Sequence, residues 1–251
     1  MSFEIYSDNL LAQSTITASS ENLLFPLANL KDPRRSKVYR STSSTASIVL
    51  DFNETSEVDS FFMMSDKRNG FGVSTITLEF NGTNEWSSPP ATETIELSQT
   101  FGVGFKEFTT KSYRFCRIVM TSTLSYCELG KIFIGKKLDI GKSINFGWSI
   151  KDNELSNKQT NRYGQLFVDV IIRQKTINCA LSYLDKESLD KVNSWLDLVG
   201  ESKPFFIKLG CDNMVNDNRR FSGMVYLSDV PTISNPYFNK YNLSMTLIEA
   251  T

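Results

Sequence analysis

Short apolar runs with a period of two, separated by turn signals, restrict most strongly what this chain can fold into. Residues 73–80 place Ile76, Leu78 and Phe80 on one face and Thr75, Thr77 and Glu79 on the other, then stop at Asn81-Gly82, a hairpin-turn pair. Apolar runs at 46–52, 58–64, 95–97, 105–108 and 132–134 are similarly short, with a turn expected at 65–70 and another at Gly70 to Gly72. In 113–121, Phe115, Arg117 and Val119 face one way and Cys116, Ile118 and Met120 the other. A strand apolar on nearly both faces belongs inside a sandwich. Strands of this length and spacing predict an antiparallel sandwich or jelly roll for the first half.

Residues 136–144 read as a passage between domains, giving a jelly-roll domain at 1–137 and a second domain at 138–251. The second half has another texture. Residues 151–163 are mostly polar and without period, which predicts a long loop, mobile or ordered by a neighbour. Strands are expected at 166–172, 205–209, 220–230 and 241–249, and at 177–183 with Ile177, Cys179, Leu181 and Tyr183 on one face. One helix is predicted at 186–199. Asp185 is its N-cap, Glu187 lies in its first turn, and Leu189, Val192, Trp195, Leu196 and Val199 form one stripe before Gly200 stops it. The predicted class is therefore mainly β: a jelly-roll sandwich followed by a small β-barrel with one packed α-helix.

Composition narrows the chemistry. The chain of 251 residues has no histidine, so Ser-His-Asp and Cys-His catalysis and the common zinc hydrolase sites are excluded. No phosphate-binding glycine motif is present, and Gly102-Val-Gly104 stands alone. No enzyme, cofactor or metal site is expected. The net charge of −1 argues against a general nucleic-acid or anionic-membrane binder. Cys116, Cys127, Cys179 and Cys211 form no C-x-x-C pair and read as small buried hydrophobes, with a Cys116–Cys127 disulfide as the sharper alternative. The first residues carry no basic segment followed by an apolar one, so no secretory signal is expected and the setting is a reducing cytoplasm.

Two stretches are candidates for contact. In 25–41, Pro26 opens a helical turn with Leu27 and Leu30 inward, Asp32-Pro33 ends it, and Arg34, Arg35, Lys37 and Arg40 form a basic knot. Arg34 and Arg35 are expected as intramolecular or subunit-interface anchors to carboxylates, and Arg40 as a support for the first strand. Trp86, with Asn84 and Glu85 in a Ser/Pro loop, is the candidate glycan contact, weighed against a plain loop anchor on the sandwich rim.

The order 27–32 (LANLKD), 39–41 (YRS), 47–52 (SIVLDF), 113–121 (YRFCRIVMT) and 128–135 (ELGKIFIG) resembles discoidin-like, galactose-binding-type jelly rolls. The PRRSKVYRS form resembles phage tail structural proteins. From Gly147-Trp148 through 236–249, the second half resembles the barrel half of phage distal tail and baseplate ring proteins. That resemblance implies a homo-oligomeric ring, usually sixfold, around a tail channel in the virion, contacting tube, hub and fibre proteins and passing DNA only non-specifically. Lys151, Asn153, Lys158 and Arg162, on the polar stretch, are then candidate interface residues together with Arg34, Arg35 and Arg40. The alternative is a carbohydrate-binding host-recognition protein acting on a surface glycan through the jelly roll. In that resemblance the ring domain usually comes first, whereas here the jelly roll does.

Overall fold

The computed structural model describes residues 2–65, 72–95, 97–98, 102–210 and 222–250. The fold is mainly β with one α-helix. In chain order the strands are β1 (Ser2–Tyr6), β2 (Thr15–Ala18), β3 (Tyr39–Arg40), β4 (Thr45–Met64), β5 (Thr75–Asn81), β6 (Ala91–Ile95), β7 (Leu97–Ser98) and β8 (Val103–Thr121). They continue with β9 (Glu128–Leu129), β10 (Lys131–Gly135), β11 (Ser149–Thr160), β12 (Leu166–Leu184), β13 (Phe205–Gly210), β14 (Gly223–Leu227), β15 (Thr232–Tyr237) and β16 (Lys240–Glu249). Helix α1 (Lys186–Val199) follows β12. The chain divides into two compact units, 2–139 with 205–223, and 140–204 with 224–250.

In the first unit, two long strands do most of the work. The apolar runs at 46–52 and 58–64 are one strand, β4, and those at 105–108 and 113–121 are one strand, β8. Their pairing slips between Asp51 and Ser56, where Asn53 takes a left-handed φ of 68°. The Asn53 amide donates to Asp51 Oδ1 at 2.8 Å, which holds the bend. A second register shift between Val58 and Ser60 changes which residues face inward: Ile48, Leu50 and Val58 before it, Phe61 and Met63 after it. Each long strand thereby serves both layers of a sandwich. One layer runs β2, first half of β4, second half of β8, β5, β6; the other uses β10 and the remaining halves. Ile76, Leu78, Phe80, Ile118 and Met120 meet Ile132 and Ile134 in one core with no exposed surface beyond 2 %.

The second face of the β4–β10 layer is buried too. Strand β1 pairs antiparallel with β13, and Tyr6 and Phe206 pack on Phe62 and Phe133 with ring centroids 4.8 to 6.3 Å apart. Aromatic contacts of this kind each contribute roughly 1 kcal/mol beyond area burial. Residues 205–210 therefore complete the first unit although they lie far along the chain.

In the second unit, β11, β12 and β16 follow one another in an antiparallel sheet, with β14 and β15 both on β16. Helix α1 packs on β12 and β16 through Val192, Trp195 and Val199. Its expected cap is present: Asp185 Oδ1 accepts from the Ser188 amide at 2.9 Å. Gly200 closes it at φ 51°.

Two expectations are corrected. Residues 151–163 are not a loop: 149–160 form β11, joined to β12 by a tight turn at 161–165. Its polar run shows no alternation because neither face of that stretch is buried. Tyr183 does not share the inner face with Leu181. A left-handed φ of 57° shifts the register, so Leu184 is buried and Tyr183 is exposed. Cys116, Cys127 and Cys179 are buried free thiols; burial pushes Cys116 well up and Cys179 up to about 12. The turn at 65–70, all but the end of the Gly70 to Gly72 turn, Cys211 and the start of the 220–230 run lie outside the described residues.

Candidate functional site

The outer face of the first layer carries a shallow cleft of about 350 Å³, with polar lining from Ser19, Thr45, Ser47, Glu79, Arg117 and Thr121. These are the alternate residues whose neighbours fill the core, so strand geometry alone gathers them. Arg117 Nε donates to Glu79 Oε2 at 2.5 Å, and the guanidinium lies 4.8 Å from the centroid of the Trp86 ring. Trp86 Nε1 donates to Asn84 Oδ1 at 2.8 Å. Trp86 is thus held at the cleft by Arg117 and Asn84. Glu85 is exposed, and its carbonyl accepts from Asn81 Nδ2 at 2.5 Å.

The basic knot resolves into three different environments. Arg34 is exposed and closes on Asp32 two residues away, Nε to Oδ1 at 2.9 Å and Nη2 to Oδ2 at 2.5 Å, which holds the Asp32 carboxyl well below the usual range. Arg35 is buried and donates to the Ser65 carbonyl at 3.0 Å, so it supports the loop from within. Arg40 pairs with the buried Glu128 carboxylate and lies 4.0 Å from the Phe25 ring centroid and 5.0 Å from that of Tyr126. Lys131, from β10, reaches under the loop and donates to the carbonyls of Asn29 at 2.6 Å and Lys37 at 2.7 Å. Burial pushes its ammonium down to about 8.

A charged cluster not foreseen from sequence joins β1, β8, β13 and residue 137. Tyr6 donates from its hydroxyl to Glu107 Oε1 at 2.8 Å and to Glu4 Oε2 at 3.0 Å. Lys208 donates to the same oxygens at 2.5 and 2.8 Å, and Lys137 to Glu107 Oε2 at 2.9 Å. Burial and the hydrogen bond with Glu107 raise Glu4; burial also works to raise Glu107, but hydrogen bonds from Glu4, Lys208 and Lys137 hold it well below the carboxylate range. Burial and both carboxylates push the Tyr6 phenol far up. Every member has partners within the cluster, which makes it a clasp on β1. Its members are spread from position 4 to 208, and no local pattern in the sequence marks them.

In the second unit, Lys151, Lys158 and Arg162 are exposed on the β11–β12 hairpin, and Asn153 is half-buried with Nδ2 donating to Thr176 Oγ1 at 2.7 Å. Arg162 lies 4.8 Å from the Tyr163 ring centroid at the hairpin tip. The same hairpin exposes large apolar groups, Phe167 at 59 % and Ile171 at 71 %. Beyond Leu23, Leu24 and Leu124, every exposed large hydrophobic residue among those described lies between 146 and 238.

No family model matches the chain. No curated protein matches it either. Among solved structures, it is similar to chitosan-binding module 1 from a chitosanase/glucanase of Paenibacillus sp. IK-5, at 18 % identity over 51 % of this chain and 98 % of that one, TM-score 0.40. It is similar to the family 32 carbohydrate-binding module of Clostridium perfringens NanJ, solved with galactose, at 13 % identity over 53 % and 98 %, TM-score 0.42. A Streptococcus pneumoniae fucose-binding module is a third, at 13 % identity over 51 % and 98 %, TM-score 0.44. All three are carbohydrate-binding modules by description, and each is covered almost whole by about half of this chain.

Proposed function

We propose that this chain is a non-catalytic assembly subunit whose second unit self-associates and whose first unit is displayed by the assembly. The observation that carries this reading is the partition of exposed apolar surface. Among the described residues, the first unit hides its large hydrophobics save Leu23, Leu24 and Leu124, while the second leaves Phe146, Phe167, Ile171, Tyr237 and Phe238 more than half exposed. Large apolar side chains left exposed together, as on the β11–β12 hairpin and at Tyr237–Phe238, mark interaction surfaces. The β11 edge adds a row of backbone groups with no strand beside it among the described residues. At its finest, the reading is a ring around the channel of a phage tail, in the distal tail or baseplate, assembled in the host cytoplasm and carried in the virion; this part comes from the order of motifs in the sequence. Negative-stain images of the purified chain should contain closed symmetric particles, and an antibody to it should label one end of the tail on purified phage. Uniform small monomers, or intact tails without label, would refute the respective part.

A second reading, carbohydrate recognition by the first unit, is favoured by Trp86 standing beside a cleft of hydroxyls and the Glu79–Arg117 pair. An aromatic face next to convergent polar groups suits a sugar ring. The similar solved modules are described as binding chitosan, galactose or fucose. A glycan array probed with the whole chain and with W86A tests it: binding lost in W86A supports the reading, and absence of any binding removes it.

A further inference from the structure

Strand β12 runs unbroken from Leu166 to Leu184, but pairs with β16 only from Thr176 onward. Its first part pairs with β11 alone among the described residues, so 154–173 form a two-stranded arm. Both faces of that arm meet solvent: Leu166 and Phe167, which point to opposite faces, are each 59 % exposed, and Ile171 is 71 % exposed. A free-standing two-stranded ribbon is marginal in water, so an arm of this kind is completed by something that covers it.

The other end of β12 carries a different apolar surface. The left-handed φ of 57° at Tyr183 turns its side chain outward, where it stacks on Tyr237 with centroids 6.1 Å apart and planes 16° from parallel. Tyr183 and Tyr237 are 55 % and 62 % exposed, and Phe238 at the adjoining turn is 91 % exposed. A bulky side chain at positive φ is uncommon and costs of the order of 1 kcal/mol, here held by the Tyr183 amide donating to Asn242 Oδ1 at 3.0 Å. Along the strand, Phe167 and Tyr183 stand about 50 Å apart at ~3.3 Å per residue, so an arm does not reach the patch of its own chain.

We propose that the arm of one copy seats on the Tyr183–Tyr237–Phe238 patch of the next copy. The proposal rests on the assembly reading above and names its contact. Arm and patch occupy opposite ends of one strand, the arrangement of a head-to-tail interface, and such an interface closes into a ring when its rotation permits. Arm and patch each present large apolar groups more than half exposed, with aromatic rings on both, the residue types that fill the core of such interfaces. A second copy fits better than an unrelated partner because one chain carries both the arm and a surface of matching character.

The test uses three full-length chains: wild type, an arm variant (F167E, I171E) and a patch variant (Y237E, F238E). All four substituted residues are exposed, so circular dichroism and melting should match wild type within a few degrees. By light scattering, wild type should be oligomeric and each variant monomeric. Mixed in equal amounts, the two variants should form a one-to-one dimer, since one keeps an intact arm and the other an intact patch. A patch variant that assembles like wild type, or a mixture that stays monomeric, overturns the arm-to-patch contact while leaving the assembly reading standing. A monomeric wild type overturns both.

Discussion

The Lys131 ammonium ends 2.7 Å from the carbonyl oxygen of Lys37, and so ties β10 to the underside of the basic knot. Burial lowers its pKa to about 8 from 10.5, so between those values the unfolded chain holds a proton that the folded chain has released. The Lys131 contribution to stability is therefore least favourable below pH 8 and improves as pH rises from 8 to 10.5. Lys131→Met removes that gain and leaves two carbonyls without their donor, at about 1–3 kcal/mol for a buried unsatisfied group. Urea unfolding of both chains at pH 7.5 and 10 should show a larger deficit in the variant at pH 10. A deficit independent of pH would contradict the buried-ammonium account.

Arg40 and Glu128 should behave as a coupled pair. The Glu128 side chain is only 5 % exposed, and Arg40 lies close to the rings of Phe25 and Tyr126. Arg40→Met leaves a buried carboxylate without its partner, a loss of about 3–5 kcal/mol, whereas R40M with E128L removes both charges and should cost much less. A double-mutant cycle by denaturant unfolding reads the coupling; additive losses would mean that the pair does not interact.

The two carboxylates of the β1 clasp should respond oppositely to neutralisation. Glu4 is raised by burial and by its hydrogen bond with Glu107, so the folded state keeps its proton above the unfolded pKa, and that stability is lost as pH rises through the folded value. Glu107 is lowered, so its contribution is present above the unfolded pKa and is lost as pH falls through the folded one. Glu4→Gln should thus be neutral or stabilising at pH 7, while Glu107→Gln strips Lys208 and Lys137 of their main counter-charge and should cost about 2–4 kcal/mol. Thermal melts at pH 7 distinguish the two; equal losses would contradict this division of roles.

Helix α1 offers a check on local structure. Asp185→Ala removes the acceptor for the Ser188 amide and should cost about 1 kcal/mol, and Trp195→Ala about 3–5 kcal/mol through the cavity it leaves. If W195A melts like wild type, the helix does not pack as described.

What was legible in the sequence follows from where the burial lies. The stripe from Leu189 to Val199 and the alternation at 73–80 each mark one buried face, and both elements stand where that pattern puts them. The strand at 149–160 left no such mark because both its faces meet solvent. The unity of β4 is hidden by the polar run 53–57 around the bulge at Asn53, which imitates the end of a strand. Trp86 and Asn84 read as one group in the sequence because they lie two residues apart. Arg117 and Glu79, which complete that cleft, come from two other strands and meet only through their register. The Glu4–Glu107–Lys208 clasp was beyond reach for the same reason.

Self-association of the chain is the central claim, and its molar mass in solution tests it most directly. Light scattering coupled to gel filtration, at tens of micromolar and moderate salt, should give a mass that is a fixed multiple of the 28.4 kDa chain and does not drift across the peak. A single species of 28.4 kDa under the same conditions would contradict it.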